Sequence, residues 1–202
     1  PIFEPFGYEI ISEATIEFEA LNVDSVPFTD WIFFSSKTGV EFFFSLEIPY
    51  SGVSKFAAIG SATSKALIEK NIVPHFIGDD SNIKKIAHDF SMVCKGTSVI
   101  FPGAKNGNKS IQQEIGQLIK AHDLVIYNTI SKTISHDIKA DIHVFTSPSS
   151  VKSFFKQVKN KVKIAVAIGE TTANALKETE AEAVYVSPFT TEQSLADLVA
   201  GL

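Results

Sequence analysis

Two phrases of this chain occur twice, in the same order and at nearly one spacing. Asp30-Trp-Ile-Phe-Phe-Ser-Ser-Lys-Thr-Gly-Val-Glu-Phe-Phe-Phe44 returns as Asp141-Ile-His-Val-Phe-Thr-Ser-Pro-Ser-Ser-Val-Lys-Ser-Phe-Phe155, and Ala58-Ile-Gly-Ser-Ala-Thr-Ser-Lys-Ala-Leu67 returns as Ala167-Ile-Gly-Glu-Thr-Thr-Ala-Asn-Ala-Leu176. The displacements are 111 and 109 residues. Two phrases repeating in register argue for two copies of one structural unit, and a period this long means duplicated domains rather than a solenoid. A chain of 202 residues allows each copy roughly 100 residues, enough to bury a core of its own.

Short apolar runs alternate with segments of helical period, the rhythm of βαβ units around a parallel sheet. The expected strands are Trp31 to Phe34, Phe56 to Ile59, His75 to Ile77 and Ser98 to Phe101, then Ile142 to Phe145, Ile164 to Ala167 and Val184 to Val186. Helices are expected to open near Thr38, Ser61, Ser81, Lys109, Ser149, Thr171 and Thr191, with Ser or Thr as systematic N-caps that accept from unpaired first-turn N–H groups. Two segments fall outside the copies: Thr15 to Ala20 alternates with period two, and Leu124 to Tyr127 is a short apolar strand before the polar stretch Asn128 to Asp137. The expected fold is α/β, with two similar domains, each a parallel sheet flanked by helices, joined by a two-stranded connection. One domain, residues 18–127, is inserted into the other, residues 1–17 plus 128–202.

A formal net charge of −5 argues against broad nucleic-acid binding, which needs a basic face to replace counterions. The single cysteine, Cys94, excludes an intramolecular disulfide and fits a reducing compartment, and no apolar run approaches a membrane span. Cytoplasmic localisation, no membrane association and a monomeric state are the expectations. Pro1 stands where a start Met would, giving the expectation that N-terminal residues of the protein lie outside this sequence.

In a parallel α/β sheet the loops at the carboxyl ends of the strands line the ligand crevice. Here those loops are rich in hydroxyls: Ser35, Ser36, Thr38, Thr146, Ser147 and Ser149 follow one strand of each copy, and Gly60, Ser61, Thr63, Gly169, Thr171 and Thr172 follow another. A helix N-terminus offers free N–H donors and about half a positive charge, so such turns can hold carboxylates, although each hydroxyl taken singly also suits plain capping. Neither Gly-x-Gly-x-x-Gly nor a Walker A phosphate loop is present. Pro102 to Lys109 is a basic strand-to-helix loop, either a solvated turn or one that brings Lys105 and Lys109 to a ligand. The histidines at 75, 88, 122, 136 and 143 show no metal-ligand spacing. Ser135-His136-Asp137 reads as a polar loop, because adjacent side chains point apart and cannot form a relay. Tyr127 either places a phenol near the interdomain crossing or anchors it with a buried ring.

Taken together, the Phe-Ser/Thr-Ser turns, Ile59-Gly-Ser-Ala-Thr63, Ile168-Gly-Glu-Thr-Thr-Ala-Asn-Ala-Leu176, Val125-Ile-Tyr-Asn-Thr129 and the Ser187-Pro188 to Leu195 ending resemble uroporphyrinogen-III synthase over nearly the whole chain. The resemblance implies two α/β domains with the substrate between them, and cyclisation of hydroxymethylbilane, a linear tetrapyrrole with eight carboxylates. Water is lost and the last ring inverts through a spiro intermediate. It implies no cofactor, no metal, and receipt of the substrate from the preceding enzyme of the pathway. Tyr127 matches the family tyrosine proposed to assist hydroxyl departure. Ser36, Thr63, Ser147, Thr171 and Thr172 match turns that hold carboxylates, and Thr38, Gly60, Ser149 and Gly169 of the same turns are expected substrate contacts beside them. Lys109 stands where relatives carry arginine, a point charge in place of a bidentate fork. Relatives begin with a strand ending near Thr-Arg, which is expected to lie ahead of Pro1. The competing reading is a non-catalytic two-lobed protein that senses a small anion.

Overall fold

The computed structural model describes residues 7–79, 82–134, 138–158 and 161–202. Ser81 and the Ser135-His136-Asp137 loop lie outside these. The chain separates into two compact units, residues 18–129 and residues 1–17 with 130–202. The boundary falls inside β1 (Ile16–Ala20) and β6 (Lys120–Ser131), which lie side by side as sheet neighbours.

In the first of these units the chain continues through β2 (Trp31–Phe34), α1 (Lys37–Ser45), β3 (Lys55–Ala58), α2 (Ser61–Glu69), β4 (Phe76–Ile77), α3 (Ile83–Cys94), β5 (Ser98–Ala104), α4 (Ser110–Ile115) and a 3-10 turn before β6. The sheet order is β1-β6-β5-β2-β3-β4, and β5, β2 and β3 pair parallel with their neighbours. Strand β2 is central and wholly buried, which explains why it is an unbroken apolar run. Its period of two sorts the side chains: Ile32 and Phe34 pack with Val40, Phe43 and Leu67 on one face, while Trp31 and Phe33 pack with Ile86, Phe90 and Phe101 on the other. Asp30 fixes the start of this layer, accepting from the Ser98 N–H (2.8 Å) and hydroxyl (2.6 Å), bonds that hold its carboxyl below the usual range.

The other unit holds β7 (Ile142–Phe145), α5 (Pro148–Gln157), β8 (Ile164–Ala167), α6 (Glu170–Lys177), β9 (Ala183–Val186) and α7 (Glu192–Ala200) around a parallel sheet of order β7-β8-β9. The duplication is visible element by element: β7 and α5 begin 111 residues after β2 and α1, and β8 and α6 begin 109 after β3 and α2.

Two expectations are corrected. The strand expected at 124–127 runs from 120 to 131, because a strand with one wet face can include Lys120, His122 and Asn128, which an apolar-run criterion rejects. Hydroxyl capping is not systematic. Ser36, Ser147 and Thr191 cap α1, α5 and α7, and Asn82 caps α3, accepting from the Lys84 and Lys85 N–H groups. Gly60, Lys109 and Gly169 precede α2, α4 and α6 and make no side-chain cap bond themselves, and at α4 Asn108 accepts from the Ser110 N–H at 3.0 Å.

Cys94 is fully buried on α3, and burial pushes its thiol up to about 11. Because only the thiolate is nucleophilic, the native chain is expected to resist iodoacetamide at about pH 8 and to label once unfolded by urea. Equal labelling rates in both states would contradict the burial.

Candidate functional site

Because the strands around β2 are parallel, α1, α2, α3 and α4 all begin at the carboxyl edge of one sheet. None of the four has an acidic residue in its first turn. In a chain of net charge −5, this leaves the positive ends of four helix dipoles unopposed by their own side chains. The self-capped and uncapped turns differ in what they offer. Ser36 accepts from the Gly39 N–H at 3.0 Å and so satisfies part of α1 internally. At α2, Gly60 contributes no side-chain acceptor, the arrangement that suits an incoming anion.

Tyr127 lies on β6 beside this edge. Its ring stacks on Phe42 (centroids 4.9 Å, planes 16° apart) and meets Phe18 edge-on (5.6 Å, 85°). Only 6% of the residue is exposed, and its hydroxyl lies 3.5 Å from Ser36 Oγ. The loop after β5 is tied to the same tyrosine: the Lys105 N–H donates to the Tyr127 carbonyl (2.9 Å), and the Gly107 N–H closes a turn onto the Ala104 carbonyl (3.0 Å). Gly39 lets α1 approach this loop, since a Cβ there would stand 3.2 Å from the Pro102 carbonyl oxygen and 3.3 Å from Ser36 Oγ.

The two lysines of this loop differ. Lys109 is ion-paired with Asp123, which also accepts from Gln112, so its charge is already matched. Lys105 is exposed and has no carboxylate partner among the described residues. Sequence reasoning passed over Lys37, which opens α1 at its first helical position. A cation there works against the dipole by about 0.3–1 kcal/mol, and that local penalty is the signal that could have singled it out.

The remaining expected residues occupy matching places. Thr38 lies half-buried in the first turn of α1, and Thr63 is buried, 4% exposed, in the first turn of α2. In the other unit Ser147 caps α5, bonding the Ser150 N–H (3.1 Å), and Ser149 is exposed. Gly169 opens α6, where Thr171 is exposed and Thr172 is buried at 2%. Thr63 and Thr172 therefore pack inward, and the Thr172 N–H donates to the Gly169 carbonyl at 3.1 Å. A cavity of about 540 Å³ within this unit is lined by Thr146, Ser147 and Ser150 together with Ile10, His143 and Phe154. Burial lowers the His143 pKa, and its Nδ1 is buried without a hydrogen-bond partner. Among the described residues no cluster of His, Cys, Asp or Glu could hold a metal ion, and no helix is long and apolar enough to cross a membrane.

The protein-family profile described as "Uroporphyrinogen-III synthase HemD" matches residues 2–197. Among solved structures, uroporphyrinogen-III synthetase from Helicobacter pylori is similar with a TM-score of 0.70 at 20% identity, over 93% of this chain and 90% of that one. A mutant uroporphyrinogen III synthase from the extremely thermophilic bacterium Thermus thermophilus gives 0.59 at 16% identity, over 99% and 90% of the two chains. No match was found among curated proteins. At these identities the structural likeness establishes the fold, and the profile, spanning almost the whole chain, establishes the kinship. The chain belongs to the uroporphyrinogen-III synthase family.

Proposed function

We propose that this chain cyclises hydroxymethylbilane to uroporphyrinogen III, with loss of water and inversion of the fourth pyrrole ring. The observation that carries this reading is the family profile over residues 2–197, supported by duplicated units whose helix N-terminal turns suit carboxylates. The chemistry asks little of a nucleophile. Spontaneous closure of the linear tetrapyrrole gives the uninverted ring, so the protein's task is to hold a flexible poly-acid in the bend that favours the spiro route, an effect of orientation and entropy. Turns at Ser36, Thr38, Gly60 and Thr63, and at Ser147, Ser149, Gly169, Thr171 and Thr172, serve as carboxylate contacts, chiefly through backbone N–H groups. Tyr127 supplies the proton for departure of the terminal hydroxyl.

Lys105 takes the cationic role that Lys109, engaged with Asp123, does not fill. Lys105→Gln is expected to raise KM about fivefold, with kcat nearly unchanged, since an exposed charge contact contributes uniform binding of about 1 kcal/mol. The KM of this variant should also climb less steeply with salt than that of the wild type. Steady-state kinetics at low and high salt check this, and an unaltered KM at low salt would remove Lys105 from the site.

The proposal itself is tested by following consumption of fresh hydroxymethylbilane. An enzyme accelerates its loss in proportion to protein concentration, with turnover beyond one equivalent. A binding sensor would leave the spontaneous rate unchanged or slow it.

A further inference from the structure

We infer that Tyr127 acts through Ser36: the Ser36 hydroxyl meets the departing oxygen of the substrate, and Tyr127 is the positioning residue that supplies it with a proton. This rests on the cyclisation proposed above and gives the Ser36 hydroxyl a part in the chemical step, beside the carboxylate contact made by the backbone of its turn.

The phenol is enclosed. Tyr127 keeps 6% of its surface, held between Phe42 and Phe18. Its hydroxyl lies 3.5 Å from Ser36 Oγ, longer than a formed O–H···O bond, and the relay requires this contact to tighten when substrate is bound. Ser36 is half-buried at the end of β2, on the sheet edge where parallel α/β folds place their ligands. It is fixed there as the N-cap of α1, its oxygen accepting from the Gly39 N–H at 3.0 Å. The absence of a Cβ at Gly39, which would come within 3.3 Å of Ser36 Oγ, leaves the serine uncrowded.

Either hydroxyl of the pair can be the donor, and the relay takes Tyr127 as the donor and Ser36 as its acceptor. A hydroxyl has two acceptor lone pairs and one donor proton. With one lone pair on Gly39 and the other receiving the Tyr127 O–H, the serine proton turns toward the substrate. In the reaction the serine proton passes to the terminal hydroxyl oxygen of hydroxymethylbilane. The C–O bond breaks with its electron pair on the oxygen, which leaves as water. The adjacent pyrrole nitrogen lone pair moves in to give the azafulvenium, and the serine oxygen takes the phenolic proton. The phenolate is reprotonated along the same path by the proton lost from the α-carbon of the last ring at macrocycle closure. Atoms and charges balance without any outside reagent.

The experiment compares the wild type with Ser36→Gly, Ser36→Thr, Tyr127→Phe and the Ser36→Gly/Tyr127→Phe double variant. Steady-state kinetics on hydroxymethylbilane are measured alongside thermal unfolding. Glycine is chosen because at an N-cap it costs only a few tenths of a kcal/mol, so the fold survives loss of the hydroxyl. The expected pattern is a kcat lowered tenfold or more by Ser36→Gly with KM within about twofold, and a double variant no slower than the slower single one. Ser36→Thr, which keeps a hydroxyl, should recover most of kcat. A Ser36→Gly variant that raises KM and keeps kcat would overturn the relay, and so would multiplicative losses in the double variant. A wild-type chain that fails to accelerate cyclisation would instead overturn the proposed function, an outcome distinct from wild-type activity that ignores Ser36→Gly.

Discussion

Tyr127→Phe is expected to lower kcat about a hundredfold, close to 2.7 kcal/mol of transition-state stabilisation, while KM and the unfolding temperature change little. The ring contributes its packing against Phe42 and Phe18, and phenylalanine keeps that packing. Among the described residues the hydroxyl makes one long contact, to Ser36, so its removal leaves no strongly bonded partner stranded there. The effect should therefore fall on the chemical step. Single-turnover rates check this directly. A variant as fast as the wild type would show that Tyr127 serves only the packing of β6.

Gly78→Ala carries the largest structural effect. A Cβ at this position would stand 2.1 Å from the Ile59 carbonyl oxygen and 2.9 Å from Ile86 Cγ2, and the Gly78 N–H is held to the Ala58 carbonyl at 2.9 Å. The obstacle is mainly backbone, so the loop between β4 and α3 must move off the sheet. The expected loss is about 3 kcal/mol, at the upper end of overpacking, or about 10 °C in Tm for a chain of this size. A thermal scan of the purified variant measures it. A Tm equal to that of the wild type would show that this loop adapts freely.

The duplication was legible because each copy repeats buried strands and the turns that follow them. β2 is an apolar run of strand length that β7 repeats 111 residues on, and Ser36 and Ser147 are natural caps after them. What escaped was governed by partners distant in sequence. β6 is a 12-residue strand whose polar half is specified by pairing with β5, not by its own pattern. Residue type marked Thr63 and Thr172 as donors, yet both turn inward, because the first turn of each helix packs on its sheet. Lys109 and Lys105 are indistinguishable by composition. Only Asp123, fourteen residues beyond Lys109 and on the neighbouring strand, tells them apart. The contact between Ser36 and Tyr127 spans 91 residues and had no local signature.

The central claim is that this protein imposes ring inversion on a substrate that closes without inversion when left alone. The most direct measurement oxidises the products formed from hydroxymethylbilane and separates the porphyrin isomers as protein concentration is raised. The account predicts that the type III isomer comes to dominate and that heat-denatured protein abolishes the shift. A product mixture that stays type I at every protein concentration would contradict it.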